Sequence, residues 1–165
     1  MSNEWLYYRI FADPSDQLWY YKLLTQVVKP FIDENESFIE RFFFFHYFPR
    51  YESDDECESK FTTGDEVAFI RLRILAKRTE LQRLESSLLY FIRSSSAVTQ
   101  TERCKSYDVN GDVGNRFGTN RVTRVVDFLD AASRLSLALL EGEQGFSPKV
   151  HNAVHLICNM MNFRL

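Results

Sequence analysis

Apolar and polar positions alternate cleanly over residues 67–75. Ala68, Ile70, Leu72 and Ile74 point one way, and Phe69, Arg71 and Arg73 the other. That two-residue period predicts a strand with one face on a core. Residues 4–11 are β-branched or aromatic at most positions and stop at the turn signal Asp13-Pro14, so they form a first strand. Residues 37–48, built around Phe42-Phe43-Phe44-Phe45, form a second strand that stops at Pro49. Helical spacing fills the gaps. Ser15 can cap a helix over 16–29 in which Leu18, Tyr21, Val28 and Phe31 share a face, with Pro30 expected to end or kink it. A helix over 77–94 sets Leu81, Leu84, Leu88, Phe91 and Ile92 on one stripe. A short strand is expected over 103–108, then a loop over Asn110–Gly118. A helix opens at Asn120 and carries Val122, Val125, Val126, Leu129 and Leu139, with Gly142 past its end. Ser147-Pro148 can cap a last helix that turns Val150, Val154, Ile157 and Met161 inward.

The first six elements read β-α-β-β-α-β. This predicts an α+β fold with a ferredoxin-like antiparallel sheet and two additional C-terminal helices, in one domain over 1–165. Both crossover helices then cover one face of the sheet. The first and third strands pair, and Arg9 shares its parity with Trp5 and Tyr7. Up to three arginines, Arg9, Arg71 and Arg73, therefore stand among aromatic rings on the face away from those helices.

Charge and composition narrow the function. The chain has 165 residues and a net charge of −3, with a pI of about 5.7. It therefore lacks the basic footprint of a nucleic-acid binder, which weakens the reading of the aromatic and arginine positions as an RNA-stacking sheet. No apolar run approaches the length of a bilayer span, and the start, Met1-Ser2-Asn3-Glu4, is unlike a signal peptide. Three unevenly spaced cysteines suggest reduced thiols and a cytoplasmic protein. Residues 51–66 hold seven carboxylates against one lysine and read as a solvated, mobile hairpin connection. Aromatic residues make up 15% of the chain, and most of them belong in a core.

Few residues carry recognisable chemistry. Guanidinium forks bind carboxylates and phosphates bidentately, so the arginine face is a candidate anion site; its alternative is an outward strand carrying solvated charge. His151 and His155 have the spacing of a two-histidine metal site, but Asn152 stands where a metalloprotease needs glutamate and no third ligand is evident, so no metal is expected. His155 fits a proton-transfer or hydrogen-bonding role better, and on spacing alone a satisfied, half-buried histidine better still. Asp108-Val109-Asn110-Gly111-Asp112 has its glycine too early for a calcium loop and reads as a turn. Arg116-Phe117-Gly118 lacks the glycine spacing of a phosphate loop, and no cofactor is expected.

Several blocks together resemble one family. They are Trp5-Leu6-Tyr7-Tyr8-Arg9-Ile10-Phe11, Phe44-Phe45-His46-Tyr47-Phe48-Pro49, Phe69-Ile70-Arg71-Leu72-Arg73, Tyr107 through Asn115-Arg116-Phe117-Gly118-Thr119, Phe128 with Ser133, and His155-Leu156-Ile157-Cys158-Asn159-Met160-Met161. In this order they resemble the C-terminal glutamate-elimination domain of class I lanthipeptide dehydratases and its relatives in thiopeptide biosynthesis. The chain departs from that pattern at His46, Phe69, Thr119 and Met160, and it is shorter than such domains. The resemblance implies β-elimination of glutamate from glutamylated serine or threonine, with Arg71, Arg73, Arg116 and His155 as candidate catalytic residues. It also implies a precursor or glutamylated peptide as substrate and a separate glutamylating subunit as partner. A non-catalytic relative that binds a peptide or dimerises, and a pyridine-forming cycloaddition enzyme on the same scaffold, remain as alternatives.

Overall fold

The computed structural model describes residues 2–47, 61, 65–105 and 107–140. Its centre is a four-stranded antiparallel sheet in the order β2-β3-β1-β4, formed by β1 (Asn3–Ala12), β2 (Ile39–Tyr47), β3 (Ala68–Lys77) and β4 (Gln100–Arg103). The fold is α+β, with the ferredoxin-like strand order. β1 and β3 are adjacent over their full length, as the sequence predicts.

Side-chain parity divides the sheet into two faces. Leu6, Tyr8 and Ile10 of β1, Phe42 and Phe44 of β2, and Ile70, Leu72 and Ile74 of β3 pack under the crossover helices. Those helices are α1 (Trp19–Leu23), α2 (Lys29–Asn35) and α3 (Leu81–Ser94), which contribute Leu23, Phe31, Leu84 and Leu88, all fully buried. Each such side chain contributes about 1.5–3 kcal/mol relative to exposure.

Pro30 does not end the first helical segment. A π turn over Leu24–Val28 joins α1 to α2, and the segment runs on to Asn35. Proline has no N–H to give and its ring crowds the carbonyl four residues back; the wider turn just before it absorbs both defects.

The fourth strand, expected over 103–108, lies at Gln100–Arg103. Among the described residues it pairs with Tyr8–Phe11 of β1, and Cys104 and Tyr107, within the expected range, are buried beyond it. The expected loop at Asn110–Gly118 is mostly helix, α4 (Val109–Phe117). The Asp108 carboxylate accepts the Asn110 backbone N–H at 3.0 Å, and Gly118 ends the helix at φ 92°. The turn-forming residues thus sit at the ends of a short helix instead of a loop.

α5 (Val122–Ala138) lies along the outer edge of β2. Its Asp130 carboxylate accepts the Phe42 N–H at 2.9 Å, and its Ser133 hydroxyl accepts the Phe44 N–H at 3.4 Å. The helix occupies donors that an open edge would offer to another chain. α5 matches the helix expected from Asn120; the helix expected from Ser147 lies outside the described residues.

Cys104 is disulfide-bonded, where the sequence suggests reduced thiols. Uneven spacing along the sequence says little about distance in space. Cys57 and Cys158 lie outside the described residues, as does most of the acidic 51–66 connection. Phe61 within it packs on Phe11 with ring centroids 4.7 Å apart. Among the described residues, no helix is long and apolar enough to cross a membrane.

Candidate functional site: a buried arginine face

The second face of the sheet carries Trp5, Tyr7, Arg9 and Phe11 of β1, Phe43, Phe45 and Tyr47 of β2, and Phe69, Arg71 and Arg73 of β3. Register fixes their neighbours. Arg73 stands opposite Tyr7 on one side and Phe43 on the other, and Arg71 stands between Arg9 and Phe45. Two cations directly opposite one another repel. β4 supplies a compensating charge by placing Glu102 opposite Arg9 on its other side.

This face is not open to solvent. Arg9 is 0% exposed, Arg73 1% and Arg71 8%. The alternative in which these arginines merely solvate an outward strand is excluded for the described residues. Burying a guanidinium requires partners, and the aromatic residues supply many of them. The Arg73 guanidinium carbon lies 4.4 Å from the Tyr107 ring centre, 4.6 Å from Tyr7, and 5.5 Å from both Phe43 and Phe45. Arg71 lies 4.2 Å from the centre of Tyr47. Trp5, Phe43 and Tyr107 meet edge to face around the Arg73 end of the cage.

Two carboxylates complete it. Asp112 Oδ2 of α4 is 3.2 Å from Arg73 Nη2 and accepts the Tyr107 hydroxyl at 3.0 Å. Glu102 Oε2 is 3.6 Å from Arg9 Nη1, while its Oε1 accepts from Gln100 Nε2 at 3.1 Å. Arg9 Nε also donates to the Tyr7 hydroxyl at 3.5 Å. Arg73 Nε and Nη1 are buried with no hydrogen-bond partner among the described residues.

These contacts set the protonation states. Burial opposes charge on Arg73, but the oxygens of Tyr107, Tyr7, Asp112 and Tyr47 together outweigh it and leave its pKa above the ordinary value. Burial raises the Tyr7 pKa despite the opposing pull of Arg73, Arg71 and Arg9, so Tyr7 is a neutral phenol near neutral pH. The face therefore holds fixed positive charge and hydroxyl donors in dry surroundings. Such surroundings favour a carboxylate or another planar anion, and Arg73 has fork nitrogens to offer one.

Of the four residues proposed from sequence, the structure brings Arg71 and Arg73 together. Arg116 lies on α4, with its side chain outside the described set, and His155 lies outside the described residues. Sequence reasoning missed Glu102 and Asp112. Parity would have found Glu102 had the fourth strand been placed three residues earlier. Asp112 was hidden because its segment reads as a loop. His46, where the chain departs from the family pattern, is on the helix face with its ring 5.0 Å from that of Tyr20. A separate cleft of about 240 Å³ between α2 and α5 is lined by Lys29, Asp33, Phe42 and Arg134. Its charges pair across its own rim, Lys29 with Asp33 and Arg134 with Glu36, so it is a weaker site than the arginine face.

The fold and the face define a class: an α+β protein whose ferredoxin-like sheet buries arginines on the side away from its crossover helices. No protein-family model and no curated protein matches the chain. Among solved structures, the chain is similar in fold to TsrL, with a TM-score of 0.50 and 19% sequence identity over 92% of this chain and 39% of TsrL. The chain thus spans about two fifths of TsrL, and at that identity the likeness shows the fold.

Proposed function

We propose that this protein is a component of ribosomal peptide tailoring that binds a carboxylate-bearing peptide at the arginine face. The observation that carries this reading is the placement of Arg9, Arg71 and Arg73 side by side, dry and ringed by aromatic groups. The blocks resembling the elimination domain span this face, and their family chemistry needs cationic groups for a departing glutamate carboxylate. A glutamylated seryl or threonyl peptide is the substrate class that joins the two. In that reading, Arg71 and Arg73 hold the glutamyl carboxylate, and Arg116 and His155 are the remaining candidates for the proton-transfer side of the β-elimination. A separate glutamylating subunit supplies the substrate.

A second reading treats the chain as a non-catalytic peptide-binding relative. The contacts of Arg73 with Asp112 and of Arg9 with Glu102 favour it, because they give these cations structural work. Incubation with a synthetic peptide that carries glutamate ester-linked to a serine side chain separates the two. Elimination yields a product lighter by one glutamic acid, detected by mass spectrometry, and Arg71→Lys reduces the yield because lysine cannot form the fork. Binding of the peptide without mass loss supports the second reading. Absence of both product and binding refutes the proposal.

A further inference from the structure

Asp112 touches Arg73 in a way that leaves the guanidinium incompletely used. One carboxylate oxygen faces one nitrogen, Nη2, at 3.2 Å, and that same oxygen accepts from Tyr107. The remaining Arg73 nitrogens, Nε and Nη1, are buried without a hydrogen bond among the described residues. A carboxylate free to align itself would engage two nitrogens of the fork at once. Asp112 is also the more accessible partner, with its side chain 17% exposed against 1% for Arg73. It therefore approaches from the outer side of the cage.

The helix that carries it is weakly built. α4 has nine residues, among them Gly111 and Gly114, and glycine is among the poorest helix formers. A Cβ at Gly111 would meet Oδ2 of Asp108 at 2.8 Å, so the carboxylate that caps the helix through its Oδ1 would have to shift. A helix of this length depends on outside contacts, which α5 and the core position of Val113 provide.

We propose that Asp112 is an internal occupant of the Arg73 anion site, and that a ligand carboxylate enters by displacing it as α4 moves outward. This rests on the reading of the arginine face as an anion site. Displacement gives the protein a built-in threshold: a ligand must offer Arg73 a better fit than Asp112 does. It also keeps the buried guanidinium compensated when the site is otherwise empty.

Calorimetric titration with N-acetylglutamate tests this on the wild type, Asp112→Asn and Arg73→Met. Removing the competing charge should tighten binding to Asp112→Asn about tenfold or more, the scale of one charge-assisted contact, and Arg73→Met should not bind. Equal or weaker binding by a folded Asp112→Asn protein, beside a wild type that binds, overturns the displacement while leaving the anion site standing. If neither wild type nor Asp112→Asn binds, the anion-site reading itself fails. Hydrogen exchange on the wild type covers the case of a variant that does not fold. Saturating ligand should speed exchange at the α4 amides, and unchanged or slower exchange there overturns the displacement.

Discussion

Replacing both members of the Arg73–Asp112 pair by neutral groups of similar size, Arg73→Met with Asp112→Asn, should leave the protein about as stable as before. Arg73 Nε and Nη1 are buried without a hydrogen bond among the described residues, and each such donor costs about 1–3 kcal/mol. Against that cost of roughly 2–6 kcal/mol stand a charge-assisted contact to Asp112 of about 1.5–3 kcal/mol and cation–π contacts of about 2 kcal/mol or more where water is excluded. The opposing contributions nearly cancel. Methionine keeps the apolar contact with Tyr7, Phe43 and Tyr107, and the side-chain amide introduced by Asp112→Asn can still accept from the Tyr107 hydroxyl. The double variant should therefore fall within about 1 kcal/mol of wild type or rise above it by up to about 4 kcal/mol, as when buried ion pairs give way to apolar groups. Urea unfolding measures this directly, and Trp5 is a local fluorescence reporter 5.4 Å from the Tyr107 ring. Equal dependence on denaturant confirms that the compared states are alike. A loss above about 2 kcal/mol would mean that Arg73 is a scaffold group, and the argument that it is retained for a ligand would be wrong.

Other consequences are open to test. Asp130→Ala removes the acceptor of the Phe42 N–H on the outer edge of β2, and should cost about 1–3 kcal/mol with faster exchange of that amide; unaltered protection would show that α5 does not guard the edge. Leu88→Ala, at a fully buried position, should cost about 2–5 kcal/mol by thermal or urea unfolding. Leu135→Ala, at a position 54% exposed, should stay within about 0.5 kcal/mol. Tyr8, buried and hydrogen-bonded to Glu85, and Tyr7 both have pKa values raised above the ordinary tyrosine value of 10.0. Their contribution to stability is complete below the unfolded pKa of about 10 and declines as pH rises above it, because the unfolded chain gives up those protons first. Ultraviolet titration should show two tyrosines that ionise only together with alkaline unfolding; complete ionisation of the folded protein at about pH 10 would contradict the burial.

The sheet was legible because its strands have two distinct faces. The alternation of Ile70, Leu72 and Ile74 with Phe69, Arg71 and Arg73 fixes which side of β3 meets the helices, and the same parity on β1 places Arg9 beside Arg71. The depth of that second face was not legible. Arginine on a strand ordinarily signals water, and only the tertiary arrangement shows Tyr107 and Asp112 closing over the guanidinium. Tyr107 falls within the strand expected over 103–108; in the structure it leaves the sheet and covers it. α4 was missed because Asn110, Gly111, Gly114 and Asn115 have poor helix propensity, and packing against α5 outweighs that. Of the two outcomes expected at Pro30, ending the helix did not occur, because one π turn carries the helix past the proline.

A peptide-binding role requires that the arginine face be an anion site. Proton–nitrogen spectra of the arginine Nε groups, recorded while a peptide with glutamate ester-linked to serine is added, test this most directly. Assigned by Arg→Lys substitution, the Arg71 and Arg73 signals should move downfield and saturate together with the peptide. If they stay fixed while backbone amides elsewhere respond, the peptide binds at another surface and the arginines serve only to hold the sheet.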